Sequence, residues 1–510
     1  MYIYIYIIQN IKKFDFSFKY YKRNSNNMTK TTLSRNGYKI KKNQLSIKEL
    51  KEIKKDLTVN PFVVGDFGNG NEKRFSLYME SPNSIYIPRF YAKDRYGIPT
   101  ENKMDEGLDV TIEFNGSLRP EQVPIVQLYK DSIKDGGGGG LISLKCGGGK
   151  TVLALNIISM LKKKTIVIVH KDFLMTQWRD RIKQFLPKAR IGKIQQNTID
   201  IEEKDIVLAM VQSLSQKEYD SEVFSSFGLA VFDECHHLGA EVFSKSMGKV
   251  ASKYMLGLSA TPDRKDGLRK VFEWFIGPML YSSKNDVNKD YIETRIYEYY
   301  DDHKIYSKLE IGYNKKPCMP RMINNISDHV PRNLFINEIV KKEYEIGRKI
   351  LILGDRREYL NRTEKWIKEN INPNIVGQYV GGMKPSELRD SQEKDIILGT
   401  FSMASEGMDI PKLNTIVLAS PKSDVVQSVG RILREKANVR KFHPLVIDIK
   451  DTHPNLNVFN RQCDKRISFY KKSNHNINLY SMDGTIAKIE KRKSKKTKEI
   501  FEIKECLIED

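Results

Sequence analysis

The stretch LISLKCGGGKTVLALNIISMLKK (residues 141–163) decides the fold. A short apolar run, LISL, feeds a glycine-rich loop. The loop opens into a proline-free run that is apolar on most sides. That order reads as buried strand, loop and buried helix. Gly147, Gly148 and Gly149 carry no Cβ, so their backbone N–H groups can close on phosphate oxygens. The positive end of the helix dipole lies behind them. Lys150 has the reach for β- and γ-phosphates, and the Thr151 hydroxyl suits Mg²⁺. A strict phosphate loop has glycine where this chain has Leu144, so the motif is a variant. A ligand-free glycine turn is the bland alternative, and a strand before with a helix after weighs against it. ATP and Mg²⁺ are the expected cofactors.

Downstream the same alternation repeats. TIVIV (165–169), IVLAMV (206–211), LAVF (229–232) and YMLGLS (254–259) are continuous apolar runs between polar segments, the pattern of buried parallel strands flanked by helices. It resumes with KILILG (349–354), DIILGT (395–400), TIVLAS (415–420) and PLVIDI (444–449). The fold class is therefore α/β, with two tandem parallel-sheet domains. Ahead of them, SIYIPRFYA (84–92) alternates like a strand and DFGNGNEK (66–73) reads as a loop, which suggests a small α+β domain. LRPEQ (118–122) opens a helix. Five glycines (136–140) precede a strand rather than join strand to helix, so they read as a flexible connector. The expected division is a tail (1–33), an accessory domain (34–117), a first α/β domain (118–285), a linker or insertion (286–330), a second α/β domain (331–455) and a basic tail (456–510) containing KRKSKKTK (491–498).

The chain has 510 residues, 40% hydrophobic and 29% charged, a globular profile with room for three or four domains. Its formal net charge of +22 points to a polyanionic partner, most simply nucleic acid. A solvated lysine-rich surface is the bland reading. Cys146, Cys235, Cys318, Cys463 and Cys506 are widely spaced, which supports neither a disulfide framework nor a zinc ribbon and fits an intracellular setting. No apolar stretch is long enough to span a membrane. The N-terminal MYIYIYII lacks a basic lead and a cleavage site, so it is a poor signal peptide. Alternating Tyr-Ile is also what a TATATA repeat encodes. Met28 is the expected start on that reading, with residues 1–27 translated from upstream DNA.

Two further motifs carry chemistry. In LAVFDECHH (229–237) an apolar strand ends in adjacent carboxylates. Asp233 would bind Mg²⁺, directly or through water, and Glu234 would orient and deprotonate the attacking water. Cys235, His236 and His237 are too few and too close for tetrahedral zinc. His236 is instead expected to link the nucleotide site to SAT (Ser259–Thr261). In QSVGRILR (427–434), spacings of four and three put Gln427, Arg431 and Arg434 on one helix face. Arginines reaching a γ-phosphate are worth roughly 10³–10⁵ in rate in phosphoryl transfer. A surface ion-pair network is the commoner cause of such a helix, and the order after a phosphate loop and DECH favours the arginine fingers.

Taken in order, LRPEQ, CGGGKT, DECH, SAT, TFSMASEGMDIP and QSVGRILR resemble the motifs of superfamily 2 helicases. HKDFLMTQW (170–178) and MVQSLS (210–215) narrow the resemblance to the UvsW-like, xeroderma pigmentosum group B-like and poxviral transcript-release helicases, as carried by large nucleocytoplasmic DNA viruses. The likeness spans roughly residues 36–455, from NGYKI (36–40) and IPRFY (87–91) onward. It implies two RecA-like domains with ATP hydrolysed between them. It also implies that Arg119 and Gln122 read adenine, that Gly407 and Asp409 couple nucleotide state to strand contact, and that Gln177, Trp178, Gln212, Ser213 and Arg356 line the nucleic-acid path. The family often relaxes the position held by Leu144. His236 in the fourth place of DECH argues against the DEAD-box RNA subgroup.

The expected function is an ATP-dependent helicase or translocase that moves on or remodels DNA in duplex, branched or transcription-complex form. Its partners would be nucleic acid, DNA before RNA, and transcription or replication machinery, with no membrane. A viral origin would imply a cytoplasmic replication site and packaging in the virion. The rivals are an RNA helicase, a motor subunit of a larger machine, and a nucleic-acid-binding scaffold without catalysis. The intact lysine, acidic pair and arginines count against the scaffold.

Overall fold

The computed structural model describes residues 30–59, 74–134, 138–144, 147–234, 240–260, 269–283, 291–313, 315–406, 408, 410, 412–435 and 439–490. The chain divides into two compact units after residue 285. Each is built on an eight-stranded sheet.

In the first unit the strand order is Thr198–Asp200, Ile191–Gln195, Ile206–Met210, Thr165–Val169, Leu229–Phe232, Tyr254–Ser259, Gly139–Ser143 and Met279–Ser282. Every neighbouring pair is parallel except the first. The apolar runs seen in the sequence are these central strands. Their residues are buried on both faces, as helix-covered parallel strands must be. The Val123–Lys134 helix follows LRPEQ as expected.

The glycine run needs a correction. Gly139 and Gly140 are not connector but the start of a buried strand. A Cβ on Gly139 would lie 2.1 Å from the Ile276 carbonyl oxygen, and one on Gly140 would lie 2.3 Å from Leu280. Glycine stands here because neighbouring chain approaches closely.

The N-terminal region is a five-stranded sheet with the Ile47–Asp56 and Arg89–Tyr96 helices. Ser46 and Glu49 close a capping box on the first helix. SIYIPRFYA is half strand and half helix: Ser84–Ile87 pairs in the sheet, and Pro88 then caps the Arg89–Tyr96 helix. Proline breaks the ladder but suits a helix start. The region is packed onto the rest of the first unit rather than detached from it. Tyr91 meets Trp274 edge-on at 5.3 Å, and Arg89 donates to the Lys253 carbonyl oxygen at 2.8 Å. One buried cluster runs from Leu33, Tyr38 and Ile85 to Phe232, Met255 and Ile276.

In the second unit the order is Val376–Tyr379, Ile396–Thr400, Ile350–Gly354, Thr415–Leu418, Leu445–Asp451, Glu293–Tyr299, Asn476–Tyr480 and Ile486–Glu490. Only the last pair is antiparallel. Two expected boundaries are corrected. The supposed linker of 286–330 supplies Glu293–Tyr299, a strand held on both sides. Part of the supposed basic tail is the Asn457–Lys472 helix and the last two strands. Both segments read as polar because their charges are neutralised inside the fold. Arg466 is 2% exposed and grips Asp448 with two bonds of 2.7 and 2.8 Å. In the earlier segment Arg295 pairs with Glu293 and with Glu343, each at 2.6 Å.

Among the described residues no helix is long and apolar enough to cross a membrane.

Candidate functional site

The Gly139–Ser143 strand ends where the Lys150–Leu161 helix begins, and the loop between them is shaped by positive φ. Gly147 has φ +77° and Gly149 φ +75°. A Cβ on Gly149 would also sit 2.4 Å from Gln122 Nε2. This cradle fits a phosphate chain: glycine conformations, exposed amides and a helix N-terminus lie together. Thr151 is the second residue of the helix.

Gln122 is 2% exposed, and both ends of its amide are engaged. Its Nε2 donates to the carbonyl oxygens of Gly148 (3.1 Å) and Gly149 (3.2 Å), and its Oε1 accepts from the Arg119 amide at 2.9 Å. The Arg119 guanidinium donates to the Gly147 carbonyl oxygen at 3.1 Å. In this conformation the two residues brace the glycine loop.

Across the loop, the Leu229–Phe232 strand delivers Asp233 and Glu234. Lys150 Nζ lies 2.9 Å from Glu234 Oε1, with the side chains 12% and 16% exposed. The other oxygen, Glu234 Oε2, accepts from the Ala260 amide at 3.3 Å. Glu234 itself has φ +47°, a conformation that side-chained residues rarely adopt. So one strained carboxylate ties the lysine of the phosphate loop to the SAT turn. That link was expected of His236, which lies outside the described residues, as do Thr261, Gly407 and Asp409. Ser259 is buried at the end of its strand, where its carbonyl oxygen accepts from the Leu144 amide.

Asp233 is buried, and Trp178 Nε1 donates to its Oδ2 at 2.8 Å. Burial, then the neighbouring Glu234 charge, push its carboxyl up to about 6, against the pull of Lys150 and the Trp178 N–H. Two carboxylates thus share one lysine. A divalent cation suits such a site, because it would offset the surplus negative charge.

Trp178 corrects an expectation. The resemblance places it on the nucleic-acid path, but it is 1% exposed and serves Asp233. The signal is present in the sequence: Leu174, Met175, Trp178 and Ile182 form the buried face of one helix. Gln177 beside it is half-buried. Gln212 is exposed and donates to the His170 carbonyl oxygen at 2.8 Å. Ser213 is buried and accepts from the Gln196 amide at 2.9 Å, so its hydroxyl holds a turn.

In the second unit QSVGRILR is not one helix. Val426–Val429 is α-helical, and Gly430–Leu433 tightens into a 3₁₀ turn. Arg431 is 7% exposed and donates to the carbonyl oxygens of Ala404 (2.6 Å) and Met408 (2.8 Å). It clamps the TFSMASEGMDIP stretch. Gln427 and Arg434 remain half-buried. Arg356 follows the Ile350–Gly354 strand and donates to the Pro320 carbonyl oxygen at 3.0 Å and to Asn324.

Comparison with known proteins agrees with this geometry. Residues 115–264 match the family model described as the type III restriction enzyme res subunit. A protein of Acanthamoeba polyphaga mimivirus, provisionally named an ATP-dependent RNA helicase, is 38% identical over 464 residues, covering 89% of this chain and 88% of its own. The chain belongs to the superfamily 2 helicases of large DNA viruses. It is accordingly an ATP-hydrolysing helicase or translocase that binds nucleic acid. The DNA 3′–5′ translocase XPB2 of Sulfurisphaera tokodaii is 36% identical over 144 residues, 28% of this chain and 31% of its own. A fragment of an HsdR-type restriction subunit from Vibrio vulnificus shares the fold, with TM-score 0.50 at 16% identity over 74% of this chain and 71% of that one.

Proposed function

We propose that this helicase hydrolyses ATP at the Lys150–Asp233–Glu234 cluster and moves on DNA in preference to RNA. The observation that supports the site is the Lys150–Glu234 ion pair beside the buried Asp233. Amides of Gly147–Lys150 would hold the phosphates of the substrate. Lys150 Nζ would leave Glu234 Oε1 for a γ-phosphate oxygen. Glu234, released from the lysine, would take a proton from the attacking water. Asp233 and the Thr151 hydroxyl would hold Mg²⁺, which supplies charge neutralisation when bound. Arg431 keeps its structural clamp. Arg434 and Gln427 are assigned the developing charge.

Likeness to a DNA translocase supports DNA. The name of the mimivirus relative supports an RNA substrate as the second reading. The relatives' viral origin supports action at a viral replication site, alongside transcription or replication machinery. The test is steady-state ATP turnover by the full chain with single-stranded, duplex and branched DNA and with single-stranded RNA. Stimulation by DNA above RNA is expected. Equal or greater stimulation by RNA would overturn the DNA preference, and full turnover in Glu234→Gln would overturn the site.

A further inference from the structure

The chain enters the Met319–Asp328 helix from a turn that is braced by its own backbone. A tight hairpin is closed by the Cys318 amide donating to the Glu310 carbonyl oxygen (2.7 Å) and the Gly312 amide donating to that of Lys316 (2.8 Å), with Ile311 bridged to Pro317. Tyr313 at its turn is fully exposed. Ile305, Leu309 and Ile311 close by in sequence are also exposed. Tyrosine and aliphatic groups left in water on a braced turn mark a contact surface. The flanking charges are mostly cationic, with Lys315 and Lys316 both exposed.

The hairpin also has a defined place in its unit. Arg356, just beyond the carboxyl end of the Ile350–Gly354 strand, donates to Pro320 and Asn324 at the root of the helix that the hairpin enters. The Glu293–Tyr299 strand, separated from it by the Thr415–Leu418 and Leu445–Asp451 strands, runs parallel in the same sheet and also ends on this side. Open parallel sheets take their ligands at the carboxyl edge.

We propose that Tyr313, Lys315 and Lys316 form a binding site for single-stranded nucleic acid, with Tyr313 stacking on a base and the two lysines meeting flanking phosphates. This rests on the helicase reading. An aromatic face beside lysines suits a polyanion whose bases are unpaired, and it needs no sequence.

The test uses the full chain and a single-stranded oligonucleotide carrying 2-aminopurine, as DNA and as RNA. Binding is followed by anisotropy and stacking by fluorescence quenching. Base stacking is worth roughly 1–3 kcal/mol per base. Tyr313→Ala should therefore weaken binding roughly 5- to 150-fold and lose the quench. Tyr313→Trp should retain both. Replacing Lys315 and Lys316 with alanine should reduce the salt slope by roughly 1.4. ATP turnover without nucleic acid, and the melting temperature, should not move. Unchanged affinity and quench in Tyr313→Ala would overturn the proposal, including the case where only self-association changes. Wild-type protein that binds neither oligonucleotide would instead overturn the helicase reading beneath it.

Discussion

Three buried aspartates separate scaffold from site. Asp448 and Asp451, in the middle and at the end of one strand in the second unit, each hold an arginine through two bonds and accept from a tyrosine hydroxyl, Tyr470 and Tyr306 respectively. Asp233 in the first unit is also buried, yet its carboxyl accepts from the Glu234 backbone N–H and the indole of Trp178. It also has Glu234 beside it, and Lys150 is turned toward Glu234. A carboxylate that serves the fold is neutralised by the fold. One left short of positive charge is ready for a cation that comes and goes with the substrate.

That contrast can be broken at four points. The largest effect is expected from Glu234→Gln, which removes the base. Nucleic-acid-stimulated ATP turnover should fall by about 10²–10⁴ while nucleotide binding persists, as read by a coupled assay and a fluorescent ATP analogue. Next, Asp451→Asn or Asp448→Asn strands a buried guanidinium. Urea unfolding should show a loss of about 3–5 kcal/mol from the second unit.

A smaller effect belongs to Trp178→Phe, which keeps an aromatic ring and removes the donor. A hydrogen bond to a charged group is worth about 1.5–3 kcal/mol. A Mg²⁺ titration of turnover should shift to concentrations roughly tenfold or more higher, and the melting temperature should fall because the smaller ring leaves a cavity. An unshifted titration would reduce Trp178 to packing.

The smallest effect is the most discriminating because its sign is reversed. The Asp233 carboxyl is raised from 3.8 to about 6, so its favourable contribution is complete below 3.8 and lost as pH rises through 6. Above that, the ligand-free protein carries a destabilising charge. Asp233→Asn should melt higher than wild type at pH 7, by on the order of 1–3 kcal/mol, and should flatten stability between these values.

Much of this is legible in the residues alone. Strand, glycine loop and helix at 141–163 are encoded by apolar runs around residues that only a tight turn needs. DECH is marked by an apolar strand that ends in charge. The second unit's arginines and its last helix are harder to read. Periodicity reports which faces are apolar, and Asn457–Lys472 hides Arg466 inside a polar-looking face. Trp178 is misplaced when a motif's neighbourhood is weighed above its own helical register. Arg431 is harder to place because an R-x-x-R pattern does not announce that its first arginine is buried on the carbonyls of Ala404 and Met408.

The most direct measurement is ATP turnover by Asp233→Asn, with and without a single-stranded oligonucleotide, on protein whose melting temperature equals or exceeds that of wild type. The account predicts that turnover is lost from a better-folded chain. Turnover at the wild-type rate would contradict it, because Asp233 would then be scaffold like Asp448 and Asp451.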